Sequence, residues 1–169
     1  MRLQDYRAKR CLTANGWLLR NDQVLLVKHR LLGIWLSPGG HVEENELPHQ
    51  AAEREFLEET GIRGHVISAE PLLSSCSTEY LPLPFMSNLH WINKPGDELK
   101  FRSGSKKACE QHYVFSYYLS CDGPCDIVKG DAGITDIHWF SKQEISELET
   151  IQEIRDEANY VFQHYPKHK

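Results

Sequence analysis

The stretch from Gly40 to Ile62, GHVEENELPHQAAEREFLEETGI, holds more of this chain's future than any other segment. Gly40, Glu46, Arg54, Glu55, Glu58, Glu59 and Gly61 stand in the frame G-x5-E-x7-R-E-Φ-x-E-E-x-G-Φ, with apolar Phe56 and Ile62 at the Φ positions. At a typical usage of about 7% per residue, seven specified residues match by chance roughly once in 10^8 starting positions.

The segment predicts its own local structure. Pro38, Gly39 and Gly40 turn the chain after an apolar run, because glycine reaches backbone angles that other residues avoid. Asn45 is the predicted helix N-cap, with Pro48 in the first turn, where its missing N–H does little harm. From Leu47 to Thr60 nothing breaks a helix, and Gly61 supplies its stop. Glu55, Glu58 and Glu59 are then related as i, i+3 and i+4 and share one face. Three like charges there repel, and a hard divalent cation offsets that repulsion, since Mg²⁺ and Mn²⁺ prefer oxygen ligands. An isolated E-x-x-E-E is more often a solvated face; the glycine turn and the complete frame decide for a metal site. Ala52 and Phe56 lie on another face, suited to the core.

This frame resembles the Nudix box, with every defining position matched. The resemblance extends to Val24–Arg30, an apolar strand ending in basic residues, and to Trp35–Gly40, WLSPGG, where Ser37 stands in place of the usual apolar residue. It also takes in Ile137–Ser141, similar to the family's late strand and helix start. It implies a Nudix fold, an α/β/α sandwich with a mixed, curved sheet, and one domain over residues 1–169. It implies a catalytic set of Glu55, Glu58, Glu59 and Arg54, and metal ligation of Mg²⁺ or Mn²⁺ by Glu55, Glu58, Glu59 and the Gly40 carbonyl. Glu46 and Arg54 are implied to pair between loop and helix. The implied reaction is attack of water on a pyrophosphate that joins a nucleoside diphosphate to another group. Glu55 or Glu58 is placed to accept the water's proton, or an acidic residue elsewhere, among Glu79, Glu98, Glu110, Asp131 and Asp136, with Glu110 favoured because it precedes a strand.

The substrate is less constrained. A proline about 15 residues beyond the box marks ADP-ribose enzymes of the family, but Pro71 is too close and Pro82 too far. Tyr80 follows Ile62 by 18 residues, as in dinucleoside polyphosphate enzymes. Tyr80, Phe85 and Trp91 are expected to pack in the core or in loops, with stacking on a base as the alternative. Arg30 is the best-placed basic residue for phosphates, ahead of Arg10 and Lys28. The leading expectation is a nucleoside triphosphate of the housecleaning type. Dinucleoside polyphosphates or nucleotide sugars are the alternative, and a non-catalytic nucleotide-binding domain is the reading from another class.

Composition narrows the partners. The net charge of −5 argues against duplex nucleic acid, which calls for a basic face. No apolar run is long enough to span a membrane. MRLQDYRAKRC has no apolar signal core, which predicts a cytoplasmic protein. The five cysteines, Cys11, Cys76, Cys109, Cys121 and Cys125, fit no standard zinc spacing and are expected as reduced thiols. The oligomeric state is not specified.

Elsewhere, Cys11–Leu19 and Val24–Val27 are predicted as strands of one hairpin, His65–Ser68 starts another strand, and Gln111–Leu119 is strongly β-prone. Ser141-x-x-Glu144 and Thr150-x-x-Glu153 read as capping boxes, the second opening a helix to His164. Residues 93–107 read as a basic loop rich in breakers, either a solvated insertion on the far side of the sheet, which is favoured, or a lid that closes over phosphates.

Overall fold

The computed structural model describes residues 2–68, 75–96, 109–128 and 133–166. A 3-10 turn at Leu3–Asp5 leads into β1 (Arg10–Trp17), β2 (Leu19–Arg20), β3 (Gln23–His29), β4 (Trp35–Leu36) and β5 (Gly39–His41). Then come α1 (Pro48–Thr60), β6 (His65–Val66), β7 (Met86–Trp91), β8 (Gln111–Ser120), β9 (Ile134–Ser141), α2 (Lys142–Glu147) and α3 (Gln152–His164).

The strands form two sheets. The larger runs β5-β1-β8-β6, with β7 also on β8; β1 and β8 are parallel and the other pairs antiparallel. The smaller is antiparallel, β2-β3-β4, with β9 on β3. The predicted hairpin of Cys11–Leu19 with Val24–Val27 is corrected here. Its partners are β2 and β3, joined through Asn21 and Asp22 at φ 50° and 59°. Two successive positive φ values give a turn whose twist suits a tight hairpin. By then the chain has changed sheets, so β1 is left to pair with β5 and β8.

Helices cover both sides of the sheets. On one side Ala51 and Ala52 of α1 meet Ala14 and Tyr117, and Phe56 sinks among Leu25, Val27, Leu119 and Ile134. On the other, α2 and α3 bring Ile145, Ile154, Ala158 and Val161 onto Trp17, Val24, Leu26, Trp35 and Phe140. Successive β3 residues serve opposite clusters, as strand periodicity requires. The layered α/β architecture with a mixed sheet is thus as expected.

Two caps differ from expectation. α1 starts from Leu47, not Asn45, which lies in the preceding loop at φ 66°. Gln50 Oε1 accepts the Leu47 N–H at 3.0 Å, and Pro48 fills the first position, so an asparagine cap is not needed. α3 starts from Ile151; Thr150 Oγ1 donates instead to the Trp35 carbonyl at 2.6 Å, tying the helix entry to β4. The Ser141–Glu144 capping box does form: Glu144 Oε2 accepts the Ser141 N–H at 2.7 Å. Gly61 ends α1 in the left-handed region, φ 73°, as expected of a helix stop.

Candidate active site

β5 and α1 build the site together. β5 runs beside β1, Gly40 opposite Ala14, and delivers its backbone to the flank of α1. A Cβ on Gly40 would collide with the Glu55 carboxylate, so any larger residue there would have to push that carboxylate aside. The Gly39 N–H donates to Glu59 Oε2 at 3.0 Å, which fixes the last carboxylate of the frame against the same strand.

Arg54 organises the rest. Its Nε and Nη2 donate to the two oxygens of Glu46 at 2.7 and 2.9 Å, a bidentate pair between loop and helix. Nη2 also donates to the His41 carbonyl at 3.0 Å. Nη1 reaches Glu55 Oε1 at 2.9 Å and Glu58 Oε2 at 3.2 Å. One guanidinium thus ties the Glu43–Glu46 loop, β5 and two of the three helix glutamates. Its hydrogen bond holds Glu46 below the usual carboxylate range, and Glu46 in turn raises Arg54.

The three glutamates differ in surroundings. Glu59 is 7% exposed, whereas the Glu58 side chain is 54% exposed. Glu55 lies between; burial raises its pKa, and the Arg54 hydrogen bond opposes that rise. They were expected to share one face and to hold one metal site. In the structure Glu59 is turned onto Gly39 while Glu55 and Glu58 share Arg54, so among the described residues these three do not form a ligand set closed to within 4.8 Å. The donors nonetheless suit a hard divalent cation. They are all oxygens, the Gly40 carbonyl and three carboxylates, and the half-buried Glu55 carboxylate shares the Arg54 guanidinium with Glu46 and Glu58.

The other predicted residues do not join this group. Arg30 is exposed where β3 ends, its N–H on the Gly133 carbonyl. Tyr80 is 43% exposed in the stretch before β7. Phe85 stacks on Tyr118 with ring centroids 4.0 Å apart, and Trp91 meets Tyr6 edge-on at 5.4 Å, so both are used in packing. Glu110 accepts the Lys9 N–H and Asp136 accepts the Ile137 N–H, each a structural contact. Glu79 is exposed; Glu98, Asp131 and residues 97–107 of the predicted loop lie outside the described residues.

A second polar region was missed from sequence. On the face of the larger sheet turned from α1, Thr13 Oγ1, Asn15 Oδ1 and Ser116 Oγ are buried without a hydrogen-bond partner. Nearby, Asn88 Nδ2 donates to Glu157 Oε1 at 3.0 Å, joining β7 to α3. Burial, with help from the Glu153 charge, pushes the Glu157 carboxyl up to about 7. The available signal was alternation: Thr13 and Asn15 put polar groups at every second place of a strand covered on both faces.

The fold has known counterparts. The NUDIX domain family model matches residues 9–162. The chain belongs to the Nudix family of hydrolases, enzymes that act on phosphoric anhydrides. A NUDIX family hydrolase of Clostridium perfringens shares the fold at TM-score 0.73 and 25% identity, over 91% of this chain and 97% of that one. The MutT protein of Methanosarcina mazei Go1 aligns at TM-score 0.60 and 15% identity, over 94% and 96% of the two chains. A putative 8-oxo-dGTP diphosphatase of Bacillus subtilis (strain 168) is 48% identical over 44 residues, a match that spans 26% of this chain and 30% of that protein. Among the described residues no helix is long and apolar enough to cross a membrane.

Proposed function

We propose that this chain is a metal-dependent pyrophosphohydrolase whose substrate is a nucleoside triphosphate. The observation that carries the reading is the Arg54-centred set: Glu46, Glu55, Glu58 and the Gly40 strand held on one guanidinium, with Glu59 on the Gly39 N–H. Gly40, Glu55, Glu58 and Glu59 would hold Mg²⁺ or Mn²⁺, which neutralises a bridging phosphate and lowers the pKa of a water. The chain's own part is positioning. Arg54 keeps Glu55 and Glu58 on the open side of α1, and Glu59 fixes the distance between α1 and β5. Glu58, the most exposed of the three, is the carboxylate best placed to take a proton from the attacking water.

Two further observations support a purine nucleoside triphosphate. The local match to the putative 8-oxo-dGTP diphosphatase is one. The other is the set of unpartnered Thr13, Asn15 and Ser116 oxygens, on β1, which pairs with β5, and on β8 beyond it, with the Asn88–Glu157 pair beside them. Such a face offers donors and acceptors for a base edge, as a buried polar atom gains most from a ligand that satisfies it. The test is release of inorganic pyrophosphate or phosphate from a panel of nucleoside triphosphates, dinucleoside polyphosphates and nucleotide sugars, with Mg²⁺ and with Mn²⁺. Pyrophosphate from a purine triphosphate, dependent on added metal, is expected. Turnover confined to the other substrate classes overturns the substrate assignment, and none in any arm overturns the activity.

A further inference from the structure

At the far end of β1 and β8 lies a group of side chains that the carboxylate site does not use. Cys11 faces His112 across the parallel pair, and His41 faces Thr13, two residues along β1 from Cys11. Register therefore sets Cys11, His41 and His112 on one face of the larger sheet. Cys109, two residues before β8, comes back to the same place. It is joined to Cys11 by a disulfide with the Cα atoms 5.9 Å apart, which corrects the expectation that these two cysteines are reduced thiols. His41 Nε2 stands 3.3 Å from Cys109 Sγ. The ligand atoms of Cys11, His41 and Cys109 all lie within 4.8 Å of one another, and the His112 ring backs His41 edge-on at 4.9 Å.

Two sulfurs and an imidazole nitrogen gathered so closely are the donor set of a borderline-soft cation, tetrahedral when a water completes it. They are the opposite of the all-oxygen set on α1. A disulfide holds no thiolate, so this donor set exists only after reduction. We propose that Cys11, Cys109 and His41 form a redox-gated site for Zn²⁺, closed while the disulfide stands and open once a dithiol reduces it. The reduction balances without other reagents: the disulfide gains two electrons and two protons, and the dithiol is oxidised to its own disulfide. Zn²⁺ then replaces the two thiol protons, which pass to solvent. Sequence spacing gave no zinc pattern because the two cysteines are 98 residues apart and only the β1–β8 pairing unites them.

Cobalt substitution tests the site. The full chain is divided into an oxidised and a dithiol-reduced sample, freed of reductant without air, and given Co²⁺ in excess Mg²⁺ to occupy the carboxylates. Reduced protein should show a near-ultraviolet sulfur-to-cobalt band with the visible bands of tetrahedral Co²⁺, bleached by an equivalent of Zn²⁺. The oxidised sample should show neither. Cys11→Ser and Cys109→Ser should lose the band, while Cys121→Ser and Glu58→Gln keep it. Should the serine variants fail to fold, alkylation of reduced wild type is read by peptide mass, with Zn²⁺ expected to shield Cys11 and Cys109 but leave exposed Cys76 reactive. No sulfur band in the reduced sample, an equal band in the oxidised one, or shielding that misses Cys11 and Cys109 overturns the proposal.

Discussion

The two ends of β5 meet two kinds of chemistry. Gly39 and Gly40 face an acidic helix; His41, the next residue, faces sulfur and imidazole. The first group is local, since Glu46 to Glu59 come from one loop and one helix. The second is assembled from β1, β5 and β8 across most of the chain. The difference is in what holds each group open for a ligand. The carboxylates are held by a cation of the protein itself, Arg54, so an incoming metal must share or displace a contact already made. The sulfurs are held by a covalent bond to each other, so nothing enters until electrons do.

The largest expected effect breaks the acidic side alone. Glu58→Gln should lower turnover by about 10² or more, on the order of 3 kcal/mol of barrier, while the circular dichroism and melting temperature stay near wild type. A wild-type rate would remove Glu58 from the site. Glu59→Gln should act likewise, although its amide keeps an oxygen for the Gly39 N–H.

Metal stabilisation sharpens the contrast next. At a Mn²⁺ concentration about a hundred times its Kd, binding only to folded protein adds about 2.7 kcal/mol. A thermal scan should show that gain in the wild type and lose most of it in a Glu55→Gln, Glu58→Gln double variant. Equal gains would put the metal elsewhere.

Arg54→Ala should destabilise by about 2 kcal/mol, because it leaves Glu46 and Glu55 partly buried without their shared cation. Glu46→Ala should cost less, as Arg54 retains Glu55, Glu58 and the His41 carbonyl. Denaturant melts that show no change in either variant would deny the network a structural role.

The smallest effect is a pH dependence on the other sheet face. Glu157 titrates at about 7 when folded and near 4.5 when exposed, so between those values the folded state holds a proton that the unfolded state releases. Its contribution to stability is full below about pH 4.5 and is lost as pH rises through 7. Glu157→Gln should therefore gain on wild type as pH rises from 4 to 8, by about 1 kcal/mol or more across that range. A constant difference across that range would mean the carboxyl is ionised throughout.

The acidic side was legible in sequence because its determinants are periodic and short in range. Helix spacing alone put Glu55, Glu58 and Glu59 on one face, and Gly40 and Gly61 bounded the segment. The Arg54–Glu46 pair followed from the family resemblance, and its geometry is bidentate. Strand pairing was less legible. Cys11–Leu19 and Val24–Val27 each became strands, yet the switch of sheets at Leu18 separated them, and nothing in either segment's alternation encodes which neighbour it takes. The Cys11–Cys109 contact and the Asn88–Glu157 bond lie beyond sequence reading for the same reason: each is a product of register between distant strands or of helix docking. Thr150 shows the limit of motif matching, since a good capping pattern yielded to a tertiary acceptor, the Trp35 carbonyl.

The bond between Cys11 and Cys109 has a consequence for how this protein ages. It ties a ring of backbone that contains α1, β5 and the exposed stretch 75–81, a ready place for a protease to cut. A single nick there opens the ring without freeing either piece. The clipped molecule would run as one species on a gel without reductant and as two with it, carrying its acidic helix and its late strands still fastened together. Damage at that stretch would stay silent until a reducing agent revealed it.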